Sequence, residues 1–448
     1  MRLVVPLKSD TIAAFGGIVF NSVHRTTLAN GLQVLLKEIH TAPIISSWIW
    51  YRVGVRDEPS GRTGISHWVE HMQFKGTPQF PTSLLDKAIS RDGGVWNAFT
   101  YMDWTTYFET MPVDRIDLAL RLEADRMVNS TFEPQEVVSE RTVVISEREG
   151  AENEPLFLLG EAVQGASFHV HPYHHEVIGD LADLKSMQRE DLYTHYRAYY
   201  IPNNAVLTVA GDFETEPMLK RIRELYEPIS AGLAPPRLDR PEPPPRGEHR
   251  HSLVGPGETT YLQVAYHAPA APDPDYFPMT VLDSLLAGPS NLNMFGGGGI
   301  SNKTSRLYRA LVEKELAVSV NGSLITTIDP FMYTVTITIH PKRKPEEALA
   351  AFDDEIKRIQ DEPVSADEIA RAIKQARAIF AYGSENITNQ AFWLGYAEMF
   401  ATYDWFLAYL DKLAVVTPAK VQKAAQKHLR PQSRVVGFYL PIGGEAQA

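Results

Sequence analysis

Cysteine is absent from the 448-residue chain, which removes structural disulfides, thiolate metal sites and cysteine nucleophiles together. Any metal must then be held by His, Asp or Glu. Positive charge is in deficit: 43 Lys and Arg face 55 Asp and Glu, a formal charge of −12. Phosphate backbones select basic surfaces, so this balance argues against a nucleic-acid partner. Long apolar runs are missing as well. No segment reaches the roughly 18 uninterrupted apolar residues of a membrane span, and the N-terminal apolar patches are broken by Lys8, Asp10 and glycines. With no span and no convincing export signal, the chain is expected to be soluble, the cytoplasm being favoured over the periplasm or export. The Gly296–Gly299 run lacks the G-x-x-x-x-G-K-[ST] spacing of a phosphate cradle and reads as a flexible surface connection.

What is present is the balance of a folded globular protein, 44% hydrophobic and 22% charged, long enough for two or three domains. Prolines crowd into EPISAGLAPPRLDRPEPPPRGEH, residues 227–249, faster than a helix or central strand tolerates. The expected organisation is an N-terminal domain at 1–228, a linker at 229–248 and a C-terminal domain at 249–448. The two halves repeat one order of elements. PIISSWIWYRVG in the first and TTYLQVAYHAP in the second are extended apolar runs, each followed by an apolar helix. DWTTYFETMPVDRIDLAL and FMYTVTITIHPKRKPEEALAAF then each read as an alternating strand, a proline turn and an amphipathic helix.

The halves differ at one helix. The first has His67-Trp-Val-Glu70-His71 where the second has Val281–Leu286, VLDSLL, so folding of that helix does not need the polar trio. His67 and His71 lie one helical turn apart with Glu70 beside them. Two imidazoles so placed can share a zinc ion, and Glu70 could act as general base on water at the metal's open position. An H-x-x-E-H arises by chance in a chain of this composition with a probability of roughly 3%. Ile65, Trp68, Val69, Met72 and Phe74 are assigned to packing. A third ligand is offered by RTVVISEREG, on a long helix from Pro134 to about Glu154. Glu140 and Glu147 are two turns apart there and can face one site, but a glutamate on an acidic helix is more often solvated than a ligand, and position alone leaves that question open. Pro172 breaks any regular face in the histidine-rich HVHPYHHE, residues 169–176, which is read as structural rather than as a second metal site.

Together these pieces resemble the inverzincin metallopeptidases, the pitrilysin, insulysin and mitochondrial processing peptidase family. The likeness runs from Thr26 through almost the whole chain: GISHWVEHMQFKGT and ERTVVISE resemble the two metal helices, and GGVWNAFTYMDWTTYFETMP resembles the strand pair after the first. HPYHHEVIG and YYIPNNAVLTVAGDF are similar to two further blocks. The resemblance implies an α+β fold of two homologous domains, each an antiparallel sheet with helices packed on one face. It implies one zinc ion per chain held by His67, His71 and Glu147, with Glu70 as general base and Glu140 as partner of a ligand histidine. It also implies a substrate-binding edge strand at 94–100, with Gly94, Asn97, Ala98 and Phe99 as contact candidates. The function implied is a zinc-dependent endopeptidase acting on extended peptides or unfolded segments, as a half-length, zinc-bearing subunit of bacterial type.

One block departs from the family. Many single-chain or homodimeric relatives carry an arginine and a tyrosine seven residues apart on a helix-to-strand element of the second domain that help hold substrate, and, with one residue deleted here, Val312 and Val318 fall at those positions. The expected partner is therefore a homologous subunit supplying the pair in a heterodimer, with a homodimer using other clamp residues as the alternative. Two rival functions carry less weight. A non-catalytic core subunit would normally have lost part of the metal set, and a lyase of the S-ribosylhomocysteine type needs a ligand cysteine. Cleavage specificity and physiological substrate are not legible in the sequence.

Overall fold

The computed structural model describes residues 23–289 and 300–442, so the Gly296–Gly299 run lies outside the described residues. The first sheet comprises β1 (Val23–Thr27), β2 (Gln33–Glu38), β3 (Ile44–Tyr51), β4 (Val95–Thr100), β5 (Thr105–Pro112) and β6 (Ala205–Gly211), ordered β1-β2-β6-β3-β5-β4. The IISSWIWY run of β3 is buried on both faces from Ile45 to Tyr51, as a central strand with both sides covered must be. The helices between these strands are α1 (Ile65–Met72), α2 (Thr82–Arg91), α3 (Ile116–Asn129), α4 (Pro134–Ala151), α5 (Pro155–Ser167), α6 (Leu181–Ser186) and α7 (Arg189–Tyr199). Helix α8 (Thr215–Tyr226) follows β6.

No helix or strand is formed from residue 227 to 248, the proline-dense stretch. Beyond it come β7 (His249–Gly255), β8 (Tyr261–Ala268), α9 (Tyr276–Leu286), β9 (Ala317–Leu324) and β10 (Phe331–Ile339). Then follow α10 (Pro345–Asp361), α11 (Ala366–Gly383), α12 (Ile387–Phe400), α13 (Tyr403–Leu407), α14 (Tyr409–Ala414), α15 (Pro418–His428) and β11 (Arg434–Pro441). The second sheet runs β7-β11-β8-β10-β9. Each sheet is antiparallel apart from one pair, β2 with β6 and β7 with β11. Parallel neighbours need a long crossover, and in each half the remaining elements provide it.

The periodicity of the sequence does not reveal that the halves exchange helices. Helix α5, from the first half, packs on β8 and β11, while α12, from the second, packs on β3 and β6. Each sheet thus has its own helices on one face and a borrowed helix on the other. Glycine marks both contacts: a Cβ on Gly395 of α12 would run into the Trp50 indole, and one on Gly437 of β11 would meet Leu159 and Val163 of α5. One apolar core accordingly joins Trp48, Trp50, Trp104 and Phe108 to Phe392, Trp393 and Tyr276.

A polar clasp adds to this contact. Asp103, in the β4–β5 turn, accepts the Tyr173 hydroxyl at 2.5 Å and the Ile328 N–H at 2.8 Å. Asp329, in the β9–β10 turn, receives Arg56 at 2.5 Å and lies 3.2 Å from His171 Nε2. Burial pushes the Asp103 carboxyl up to about 7, against the opposing hydrogen bond from Tyr173. Its unfolded value is about 4, so the native state holds a proton that the unfolded chain releases. That contribution is complete below about pH 4 and fades as pH rises through about 7. Glu70 and Glu176, both raised to about 7 by burial, act in the same direction. His175 and His195, which burial pulls down to about 4 and about 3, act the opposite way, so the test is a difference: in EDTA, the thermal midpoint of Asp103→Asn is expected to rise relative to that of the wild type from pH 5 to 8. Parallel curves for the two proteins would contradict this.

Candidate metal centre

Helix α1 is only eight residues long, and its face toward the core is made by Ile65, Trp68, Val69 and Met72, all nearly fully buried. That phase turns His67 and His71 toward α4, where Val137, Glu140 and Val144 form the inner side. The two rings meet edge to face with centroids 4.6 Å apart. Glu147 Oε2 is 3.5 Å from His71 Nε2, and Glu147 Oε1 is 3.9 Å from His67 Nε2. One ligand atom from each of the three residues lies within 4.8 Å of the others, and this is the only such triad among the described residues. Ligands at about 2.1 Å from one zinc in tetrahedral geometry stand about 3.4 Å apart. The donor set and its spacing therefore fit zinc.

The surroundings favour a cation. Glu140 Oε1 accepts a hydrogen bond from His71 Nδ1–H at 2.9 Å, which fixes the tautomer and leaves the Nε2 lone pair available to a cation. Lys75 forms an ion pair with the other oxygen of Glu140. Burial pulls the His71 imidazole down, but hydrogen bonds to Glu140 and Glu147 outweigh it and push the group up to about 9. Burial pushes His67 down to about 4, so its ring stays neutral. Its Nδ1 is buried without a hydrogen-bond partner, and it is Nε2 that faces Glu147.

Glu70 is 8% exposed, and Oε2 accepts the Thr100 hydroxyl at 2.6 Å. Burial pushes its carboxyl up to about 7, with the Thr100 bond pulling the other way. A carboxyl titrating near neutrality is suited to taking and returning a proton. Thr100 and Lys75 are contributions that motif spacing does not pick out. Thr100 could have been found by period two, since it shares a strand face with Ala98, and Lys75 by its place one turn beyond His71.

Strand β4 forms one edge of its sheet, paired only with β5 among the described residues. Asn97 is exposed, Ala98 is buried, and the Ala98 N–H donates to Asn97 Oδ1 at 2.9 Å. Phe99 stacks parallel to Phe108 with centroids 6.1 Å apart. At Gly94, a Cβ would collide with Met111 Sδ, so any larger residue there would require the methionine side chain to shift. In the histidine-rich segment, His171 Nδ1 accepts the Tyr173 N–H at 3.1 Å and His175 approaches Glu58. Val318, on β9, is 56% exposed at the edge of the second sheet, and Val312 ends the turn 308–312. No described helix is long and apolar enough to cross a membrane.

A family model described as Insulinase (Peptidase family M16) matches residues 33–181, and one described as Peptidase M16 inactive domain matches residues 186–376. An uncharacterized zinc protease of Streptomyces coelicolor is 27% identical over 432 residues, covering 93% of this chain and 90% of that protein. The probable mitochondrial-processing peptidase subunit beta of Arabidopsis thaliana is 28% identical over 297 residues, 66% of this chain and 55% of the relative. Among solved structures, a protease from Helicobacter pylori has a TM-score of 0.87 at 24% identity, covering 94% of this chain and 99% of that one. The two models are of one family and between them account for most of the sequence from residue 33 to residue 376, so the chain belongs to peptidase family M16, the insulinase family.

Proposed function

We propose that the chain is a zinc-dependent endopeptidase for extended peptides or unfolded segments, organised as domains 1–228 and 249–448 with the linker 229–248. The observation that carries this reading is the convergence of His67, His71 and Glu147 at 3.5 and 3.9 Å beside the buried Glu70. When bound, zinc supplies Lewis acidity toward a carbonyl oxygen and acidifies water. His67 and His71 would hold it through Nε2 and Glu147 through its carboxylate. Glu140, braced by Lys75, keeps the His71 ring turned and its Nδ1 protonated. Glu70 takes the proton from water and delivers it to the departing amine, so no covalent bond between enzyme and substrate is needed. The free edge of β4 aligns an extended peptide through its main chain, with Gly94, Asn97, Ala98 and Phe99 as the contact segment.

The Thr100 hydroxyl aims Glu70 and favours its ionised form. A hydrogen bond to a charged group contributes about 1.5–3 kcal/mol. Thr100→Val is thus expected to lower kcat by about 10-fold or more with KM little changed. It should also move the acid limb of the kcat/KM profile to higher pH, because the base then ionises later. An unshifted limb would show that Thr100 does not act through Glu70.

The clamp pair of relatives is absent at Val312 and Val318, so the active form proposed is a heterodimer with a homologous subunit that supplies it, or else a homodimer with different clamp residues. Digestion of a quenched-fluorescence peptide library by the chain alone, and with the product of a neighbouring homologous gene, tests this. The reading predicts chelator-sensitive cleavage that zinc restores. A non-catalytic subunit of the same fold is the second reading, supported by the match of residues 186–376 to a model described as an inactive domain. Absence of cleavage in every combination would favour it.

A further inference from the structure

The eight-residue helix that carries His67 and His71 is too short to fix its own position, since helices of this length are marginal without outside contacts. Its start is gripped from outside. Glu58 Oε2 accepts the Gly64 N–H at 2.7 Å and Glu58 Oε1 accepts the Ser66 N–H at 2.9 Å, two of the amide groups that every helix leaves unpaired at its N-terminus. The Glu58 side chain is fully buried. Behind it stands His175, also buried, with Nε2 3.5 Å from Glu58 Oε2 and Nδ1 3.0 Å from the Glu176 carbonyl.

Nδ1 must carry hydrogen to meet a carbonyl, so a neutral His175 turns the lone pair of Nε2, which has no hydrogen-bond partner of its own, toward Glu58. Burial pushes Glu58 up to about 8 and His175 down to about 4, so the imidazole at the back of Glu58 is neutral.

The segment holding His175 also crosses the helix start backbone to backbone. Gly64 and Gly179 both have left-handed φ, 80° in each, and a Cβ on either would strike the other strand of the crossing, at the Ile178 or Thr63 carbonyl. Thr63 is tied down by Asp183 Oδ2, 3.0 Å from its N–H and 2.8 Å from its hydroxyl, and its own hydroxyl accepts the Asp180 N–H at 2.8 Å. Arg148, next to the ligand Glu147, reaches the Gly179 carbonyl at 3.4 Å. The histidine-rich segment that motif reading set aside is thus the abutment between the two metal helices.

From this we infer that Glu58, with His175 behind it, is a positioning residue of the metal centre: it sets the rotation of α1 and so the separation of the two ligand imidazoles from Glu147. The assignment rests on the metallopeptidase reading above. Glu58→Gln keeps size and one accepting oxygen but turns an amide N–H toward Gly64 or Ser66. Glu58→Leu removes both bonds. Partners that orient ligands typically change metal affinity about 10–100-fold when lost.

The test is titration of the chelator-stripped full chain with Co(II), read by its visible absorption, alongside zinc competition against a chromophoric chelator and thermal unfolding in EDTA. Glu58→Gln is expected to bind about 10-fold more weakly, with displaced Co(II) bands and kcat reduced more than KM is raised, and Glu58→Leu to bind about 100-fold more weakly. If Glu58→Leu does not fold, Glu58→Gln decides alone. A variant that melts earlier in EDTA yet keeps wild-type affinity and Co(II) spectrum would overturn the assignment, because Glu58 would then only support the fold. Wild-type protein that takes up no stoichiometric Co(II) or zinc would overturn the metallopeptidase reading itself, and this assignment with it.

Discussion

Glu70→Gln is expected to lower kcat for peptide cleavage by about 10²–10⁴-fold, the usual contribution of a positioned general base, while zinc content stays at the wild-type level. The reason lies in how differently Glu70 and its neighbours are held. His67, His71 and Glu147 present ligand atoms to one point, whereas Glu70 engages the Thr100 hydroxyl from within the core. Glutamine can still accept that hydrogen bond, so the fold should be undisturbed. What it cannot do is bind and release a proton near neutral pH, where burial places the glutamate at about 7. The measurement is steady-state cleavage of a quenched peptide with metal analysis of the same samples. Loss of both zinc and activity would move Glu70 into the ligand set, and retained activity would remove it from the reaction.

The second large effect separates two glutamates on one helix. Glu147→Ala should reduce zinc from about one per chain to below about a tenth, with cleavage falling to background, because three protein ligands are the usual minimum for a catalytic zinc. Glu140→Gln should retain zinc near stoichiometry at saturating metal but bind it about 10–100-fold more weakly. The distinction follows from which ring atom each carboxylate meets: Glu140 takes the Nδ1–H of His71 at 2.9 Å, and Glu147 faces Nε2 at 3.5 Å. Elemental analysis after gel filtration, followed by chelator competition, reads both outcomes. Equal zinc loss in the two variants would mean that Glu140 is a ligand as well.

These two glutamates also show how far the site can be read from the sequence. Spacing alone puts His67, Glu70 and His71 on one face and brings Glu140 and Glu147 to a common side. It leaves open whether either glutamate is a ligand or solvated; the resemblance implies a ligand at Glu147 and a histidine partner at Glu140, and in the structure Glu140 meets Nδ1 of His71 while Glu147 faces Nε2. The repeated order of elements was legible because each half writes the same alternation of strand and helix periods. Its consequence was not. That α5 and α12 cross to the opposite sheets depends on the chain path, and the glycines that admit them, Gly395 and Gly437, carry no local signal of an indole or a leucine arriving from a remote position. Thr100, Lys75 and Glu58 were missed for a related cause: each acts through one long-range hydrogen bond or ion pair, and periodicity encodes faces rather than partners. Proline denies the histidine-rich segment a helical face, and in the structure its histidines contact Glu58 and Asp329.

Diffraction from crystals of the protein purified without added metal, recorded on both sides of the zinc absorption edge, would show whether these three residues bind zinc. A single strong anomalous peak is expected between Nε2 of His67, Nε2 of His71 and the carboxylate of Glu147, vanishing below the edge. A map with no peak there after zinc soaking, or with its zinc bound by other residues, would contradict this.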